Sequence, residues 1–197
     1  MKLLYKRTIH CLYNCKSVLF KCFISVEGVK KMVKFLRNNK YASIVLAIIR
    51  IYFGFEWAIS GWGKVTSGFS AQGMLMGVVK NPVKGPEGNV LYPWFNSMVQ
   101  HVILPNNGAI SFMVSWGELL VGLGLIFGCL TTAATFFGMM MNFSYLLAGA
   151  VSVNPEYIFF EMFIIFAGFN AGKIGLDYWV IPWIREHVFK QKTKSSF

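Results

Sequence analysis

The chain has 197 residues, 55% of them hydrophobic and 14% charged, with a formal net charge of +11. So little polar surface excludes an ordinary soluble domain and points to one integral membrane domain. The charge does not mark a nucleic-acid binder, because residues 1–31 alone carry seven Lys/Arg against one Glu, the pattern of a cytoplasmic flank to a membrane span.

Residues 1–31 read as a doubtful N-terminal extension. "EGVKKM" back-translates to a purine-rich ribosome-binding sequence ahead of an ATG, so Met32 is the preferred start. The alternative is a basic, partly amphipathic arm on the membrane surface. Cys11 and Cys15, four residues apart, lack two further ligands nearby, and Cys22 is isolated. Cys129 lies in an apolar helix, where a free thiol is a small core residue. The expectation is no disulfide and no metal site.

Residues 32–183 form the transmembrane domain and 184–197 a basic cytoplasmic tail. About 20 apolar residues cross a bilayer, and four segments qualify: 41–62, 109–129, 131–152 and 156–183. The predicted fold is all-α, an integral membrane four-helix bundle. Its long outer loop between helices 1 and 2 is partly helical, because "FSAQGMLMGVV" and "LYPWFNSMVQHVIL" are amphipathic. Lys34, Arg37, Lys40, Arg185, Lys190, Lys192 and Lys194 flank the ends, against Lys64, Lys80 and Lys84 in the long loop. That bias places both termini in the cytoplasm.

Charged residues within a bilayer face the bundle interior and are paired. Arg50, Gly54, Trp57, Gly61 and Lys64 form one helical stripe, as do Gly138, Asn142, Tyr145 and Gly149, and as do Asn170, Lys173 and Asp177. Counted from the helix ends at about 1.5 Å per residue, Arg50, Glu118, Asn142 and Asn170 fall within about two turns of the midplane. Arg50 is then expected to pair with Glu118, with the two Asn side chains completing a polar layer. Lys173 and Asp177 are expected to form a structural i, i+4 pair nearer the inner face.

The segments "RIYFGFEWAISGWGK", "WGELLVGLGLIFGCLTTAA", "MNFSYLLAG", "NPEY" and "AGFNAGKIGLDYWVIP" together resemble the DoxX/DoxD-like membrane proteins of bacteria, over about Lys34 to Trp183. The resemblance implies a four-helix membrane bundle in the bacterial cell membrane. DoxD members are named for the membrane subunit of a thiosulfate:quinone oxidoreductase, and other members are linked to thiol and oxidative-stress systems. The long loop is similar to a subgroup from low-GC Gram-positive bacteria.

The chain has no cysteine suited to sulfur transfer and no haem, flavin or iron–sulfur motif. The reading that follows is a membrane subunit of a quinone-linked redox system, with no covalent cofactor and a quinone as substrate. An apolar slot lined by Trp57, Phe143 and Tyr145 suits the quinone ring. Arg50, Asn142 and Asn170 are the expected hydrogen-bond donors and Glu118 the proton relay. Electrons come from a separate redox protein subunit. Two alternatives stay open: a small-molecule transporter or efflux component working as a homo-oligomer, and a non-catalytic scaffold in the lipid bilayer.

Overall fold

The computed structural model describes residues 27–188. Helix α1 covers 27–38, and after a one-residue break helix α2 runs Lys40–Ser67. Asn39 makes the break and caps α2, its Oδ1 accepting from the N–H groups of Tyr41 at 2.7 Å and Ala42 at 3.3 Å. Asn170 holds the same corner from across the molecule, its Nδ2 donating to the Leu36 and Asn39 carbonyls at 2.7 and 3.0 Å. These are acceptors that a helix end leaves open.

Helix α3 (Gln72–Lys80) and helix α4 (Pro93–Met98), the latter extended by a π-turn at Val99–Ile103, follow α2. They close over one end of the long helices around Ala71, Leu75, Val78, Phe95 and Val99. The loop between the first two long helices is thus partly helical, as its amphipathic pattern predicts. Helix α5 (Asn107–Phe127) then returns antiparallel to α2. These two, of 28 and 21 residues, are the helices among the described residues that are long and apolar enough to cross a membrane.

Helices α2 and α5 are pressed together through small residues. A Cβ on Gly61 would lie 2.3 Å from the Leu119 nitrogen, one on Gly122 2.3 Å from the Ala58 nitrogen, and one on Gly54 2.9 Å from the Ile126 nitrogen. Small residues allow such backbone approach where side-chain packing and interhelical hydrogen bonds hold helices together. They also fix the register: 61 opposite 119, 58 opposite 122, 54 opposite 126. Of the expected α2 stripe, Arg50, Gly54, Trp57 and Gly61 are buried, and Lys64 at its end is partly exposed.

Helix α6 (Thr131–Leu147) packs against α5 after a tight turn, and helix α7 (Asn154–Ala167) packs against α6. The segment 156–183, expected as one span, is broken. Gly168, at φ 56° and ψ −127°, ends α7 after 14 residues. Helix α8 (Phe169–Gly172) continues for one turn, a short bend follows, and helix α9 (Asp177–His187) leaves from it. No ordinary L-residue favours the Gly168 conformation, so this glycine breaks the helix where the apolar run suggested continuity. Cys11, Cys15 and Cys22, the tail beyond 188 and most of the 1–31 segment lie outside the described residues.

Polarity is inverted relative to a water-soluble fold. Ile48, Tyr52, Ile59, Phe112, Leu120 and Phe137 are exposed, whereas Arg50, Glu118, Asn142, Glu161 and Asp177 are buried. An apolar exterior around a polar core suits lipid as the solvent.

Gly122→Val should cost at least about 1–3 kcal/mol, as overpacking of a filled contact does, read as thermal stability in detergent. Gly73→Ala, with nothing within 4 Å of the added Cβ, should change stability by less than about 1 kcal/mol. Equal effects at the two sites would contradict the close approach of α2 and α5.

Candidate functional site

Apart from the Asn170 corner and hydroxyls bonded to their own helix, the buried polar residues form three clusters along the bundle. Arg50, Trp57 and Lys64 are spaced by seven residues on one face of α2, so the residues that α2 contributes to successive clusters are about 10 Å apart along its axis.

The first cluster is at the α5–α6 turn. Arg50, 1% exposed, donates from Nη1 to the Ala171 carbonyl at 3.0 Å and from Nη2 to the Ile174 carbonyl at 2.8 Å. Its guanidinium lies against Gly128, where a Cβ would come within 2.3 Å of Nη1. Gly128 also carries φ 63° as the C-cap of α5, so both space and backbone demand glycine. Asp177 sits opposite, accepting from the backbone N–H groups of Leu130 at 2.6 Å and Thr131 at 3.0 Å. A carboxylate at the start of α6 meets the free N–H groups and the positive end of the helix dipole. The Asp177 N–H donates to the Gly128 carbonyl at 2.7 Å. This cluster ties the α5–α6 turn to the segment between α8 and α9.

The second cluster lies between α2, α6 and α7. Asn142 Nδ2 donates to Glu161 Oε2 at 3.0 Å, and Glu161 and Asn142 are 0% and 1% exposed. Trp57, also buried, packs edge-on to Tyr157 with ring centroids 6.1 Å apart.

The third cluster centres on Glu118 of α5, 1% exposed. Tyr145 Oη donates to Oε1 at 2.5 Å and Ser60 Oγ to Oε2 at 2.9 Å. Lys64 Nζ makes an ion pair with Oε2 and reaches Ser60 Oγ at 2.9 Å. Every partner is a donor, the arrangement an ionised carboxylate requires. The Lys64 side chain is 24% exposed against 2% for Glu118. Its ammonium lies over the Phe69 ring, 5.6 Å from the centroid, a cation–π placement. It also borders a cavity of about 360 Å³ lined by Phe69, Ser111, Phe112, Ser115 and Trp116. The cluster therefore joins the buried interior to an opening between the ends of α2 and α5.

This geometry overturns four sequence expectations. Arg50 does not pair with Glu118. Glu118 lies level with Gly61, eleven residues further along α2, or about 16 Å away. The helices do not begin flush: α2 extends past the α5–α6 turn by ten residues, which places Arg50 at that turn and not at mid-bundle. Asn142 and Asn170 do not share a layer, since Asn170 holds the α1–α2 corner. Lys173 is exposed and does not pair with Asp177, whose carboxylate is occupied by backbone N–H groups. Phe143 is 47% exposed and lines no slot with Trp57 and Tyr145. Sequence reasoning missed Ser60 and the partnership of Lys64. Their i, i+4 spacing on the glycine-bearing face, opposite a lone glutamate on the antiparallel helix, was the available signal.

The model of the DoxX family matches residues 45–150, a stretch that contains Arg50, Trp57, Lys64, Glu118, Asn142 and Tyr145 and stops short of Glu161, Asn170 and Asp177. No curated protein and no solved structure matches the chain.

Arg50→Gln and Glu118→Gln should have additive effects on stability, within about 0.5 kcal/mol, as for sites with no shared partner. Tyr145→Phe, which removes a hydrogen bond to a charged group, should cost about 1.5–3 kcal/mol in the wild type and much less in the Glu118→Gln background. A large coupling between Arg50 and Glu118 in thermal denaturation would restore the discarded pairing.

Proposed function

The chain belongs to the DoxX family of membrane proteins, and on that premise we propose that it is the membrane subunit of a quinone-linked redox system. Four crossings make the unit: α2, α5, α6, and α7 with α8. The last pair covers residues 154–172, about 28 Å of helix, close to the hydrocarbon thickness. Both termini are cytoplasmic, and α3 and α4 cap the outer end.

The observation that carries the reading is the third cluster. Glu118 is enclosed, yet it connects through Lys64 to a cavity with aromatic walls and hydroxyl groups. A quinone headgroup needs an apolar slot and a few donors. Phe69, Phe112 and Trp116 supply the walls, and Lys64, Ser111 and Ser115 the polar groups. Reduction of a quinone to the quinol takes two electrons and two protons. The electrons come from a separate redox subunit. Lys64 delivers the two protons in turn to the quinone oxygens and is recharged after each transfer through the Glu118 carboxylate, with protons drawn from the opening that Lys64 borders, a positioned acid–base relay. On this reading the expected site moves from Arg50, Asn142 and Asn170, which lie away from the cavity beside Lys64, to Glu118, Lys64 and Tyr145.

Lipid extracts of the purified protein should contain quinone, and an added soluble quinone should raise its melting temperature. Trp116→Ala, which opens the cavity wall without touching the ion pair, should reduce that rise. Protein free of quinone, with no thermal response to it, would overturn the reading. Independently, a reporter inserted near Gly85 should behave as external and one fused behind residue 188 as cytoplasmic; the reverse pattern would contradict the topology.

A further inference from the structure

The second cluster holds a carboxyl group that the proposed function does not use. Glu161 accepts one hydrogen bond, from Asn142, and its Oε1 has no partner. Trp57 Nε1 likewise has no partner of hydrogen-bonding geometry. The two converge over Gly138, where a Cβ would lie 2.8 Å from Glu161 Oε1 and 3.6 Å from Trp57 Cε2.

The groups facing Glu161 from the surrounding helices are Trp57 of α2, Val121 of α5, Asn142 of α6 and Tyr157 of α7 itself. None is cationic, and the ion pairs among the described residues lie elsewhere. A bare carboxylate in such surroundings is costly without a counter-charge. Glu118 has an ammonium and two hydroxyl donors; Glu161 has a single amide. Two carboxyl groups in one bundle are therefore set in opposite environments, the pattern that separates an acid from a base.

We propose that Glu161 is a proton-holding site paired with Glu118. At rest Glu161 is the neutral acid and Glu118 the carboxylate. The exchange moves one proton from the Glu161 carboxyl to the Glu118 carboxylate, leaving Glu161 ionised and Glu118 neutral, with no change in total charge. Asn142 and Tyr145 are three residues apart on α6, so the two carboxyl groups' partners occupy one face, about 4.5 Å apart along the axis. Trp57 Nε1, beside Glu161 but short of hydrogen-bonding geometry at rest, is placed to donate to Oε1 once the proton has left, and Asn142 continues to donate to Oε2. Gly138 keeps the space above Oε1 open for this change. The exchange rests on the reading of Glu118 as a proton site; the resting state of Glu161 does not.

Infrared spectroscopy of the protein in lipid bilayers tests both halves. The wild type should show the carbonyl stretch of a protonated carboxyl, shifted down in D2O. The band should be lost in Glu161→Gln and kept in Glu118→Gln, with slower D2O exchange in the latter. If Glu161→Gln fails to fold, Asn142→Leu serves instead, and should move the band to higher frequency by removing its one hydrogen-bond donor. Absence of the band in the wild type, its survival unchanged in both Glu161→Gln and Asn142→Leu, or its failure to shift in D2O would overturn the proposal. Exchange as fast in Glu118→Gln as in the wild type would overturn the link to Glu118. None of these measurements needs a quinone, so failure of the quinone assay and failure of this proposal are distinguishable.

Discussion

The close antiparallel approach of α2 and α5 is the constraint from which the rest follows. Gly61 against Leu119 and Gly122 against Ala58 leave no room for side chains between the two backbones. That contact sets a register that cannot slide without collision. The register in turn brings Ser60 and Lys64 onto Glu118 and carries Arg50 to the α5–α6 turn. A helix pair held by larger side chains would sit further apart, and the hydrogen bond from Ser60 to Glu118 would be out of reach.

The bundle sorts its polar groups by task. At the turn, Arg50 and Asp177 satisfy backbone groups: carbonyls near the end of α8 and N–H groups at the start of α6. Such contacts answer the requirement that backbone polar groups be paired where water is absent. At the other end Glu118 is bonded by side chains alone, one of them at a cavity. Side-chain partners can change with protonation or ligand, whereas backbone caps are fixed by the helices. That difference, and not burial, separates the candidate site from the structural knot. Between them Glu161 keeps one carboxyl oxygen without a partner.

Much of this was legible in the sequence. Motif order gave the family, hydropathy gave α2 and α5, and helical periodicity gave the buried face of α2. The partners were not legible, because depth was counted from assumed flush helix ends. Ten residues of α2 protrude past the α5–α6 turn, so residues of equal count from their helix ends lie at different levels. Gly168 was unreadable for a different reason: a glycine in an apolar run equally fits close packing or a break, and only its backbone angles decide. The i, i+4 spacing of Lys173 and Asp177 pairs them only on one continuous helix, and the bend between α8 and α9 breaks that helix. The pairing of Lys64 with Glu118 depends on tertiary register, which two glycines specify but do not announce.

The central claim is that Lys64 and Glu118 are partners across the α2–α5 contact, and a double-mutant cycle between them tests it most directly. Removing Lys64 leaves Glu118 buried without its counter-ion, at about 3–5 kcal/mol, whereas removing Glu118 leaves a partly exposed ammonium and costs less. Lys64→Met combined with Glu118→Gln should recover most of that loss, giving a coupling energy well above the roughly 0.5 kcal/mol expected of independent sites. Additive single-mutant effects would show that the two residues do not meet, and would remove the candidate site with them.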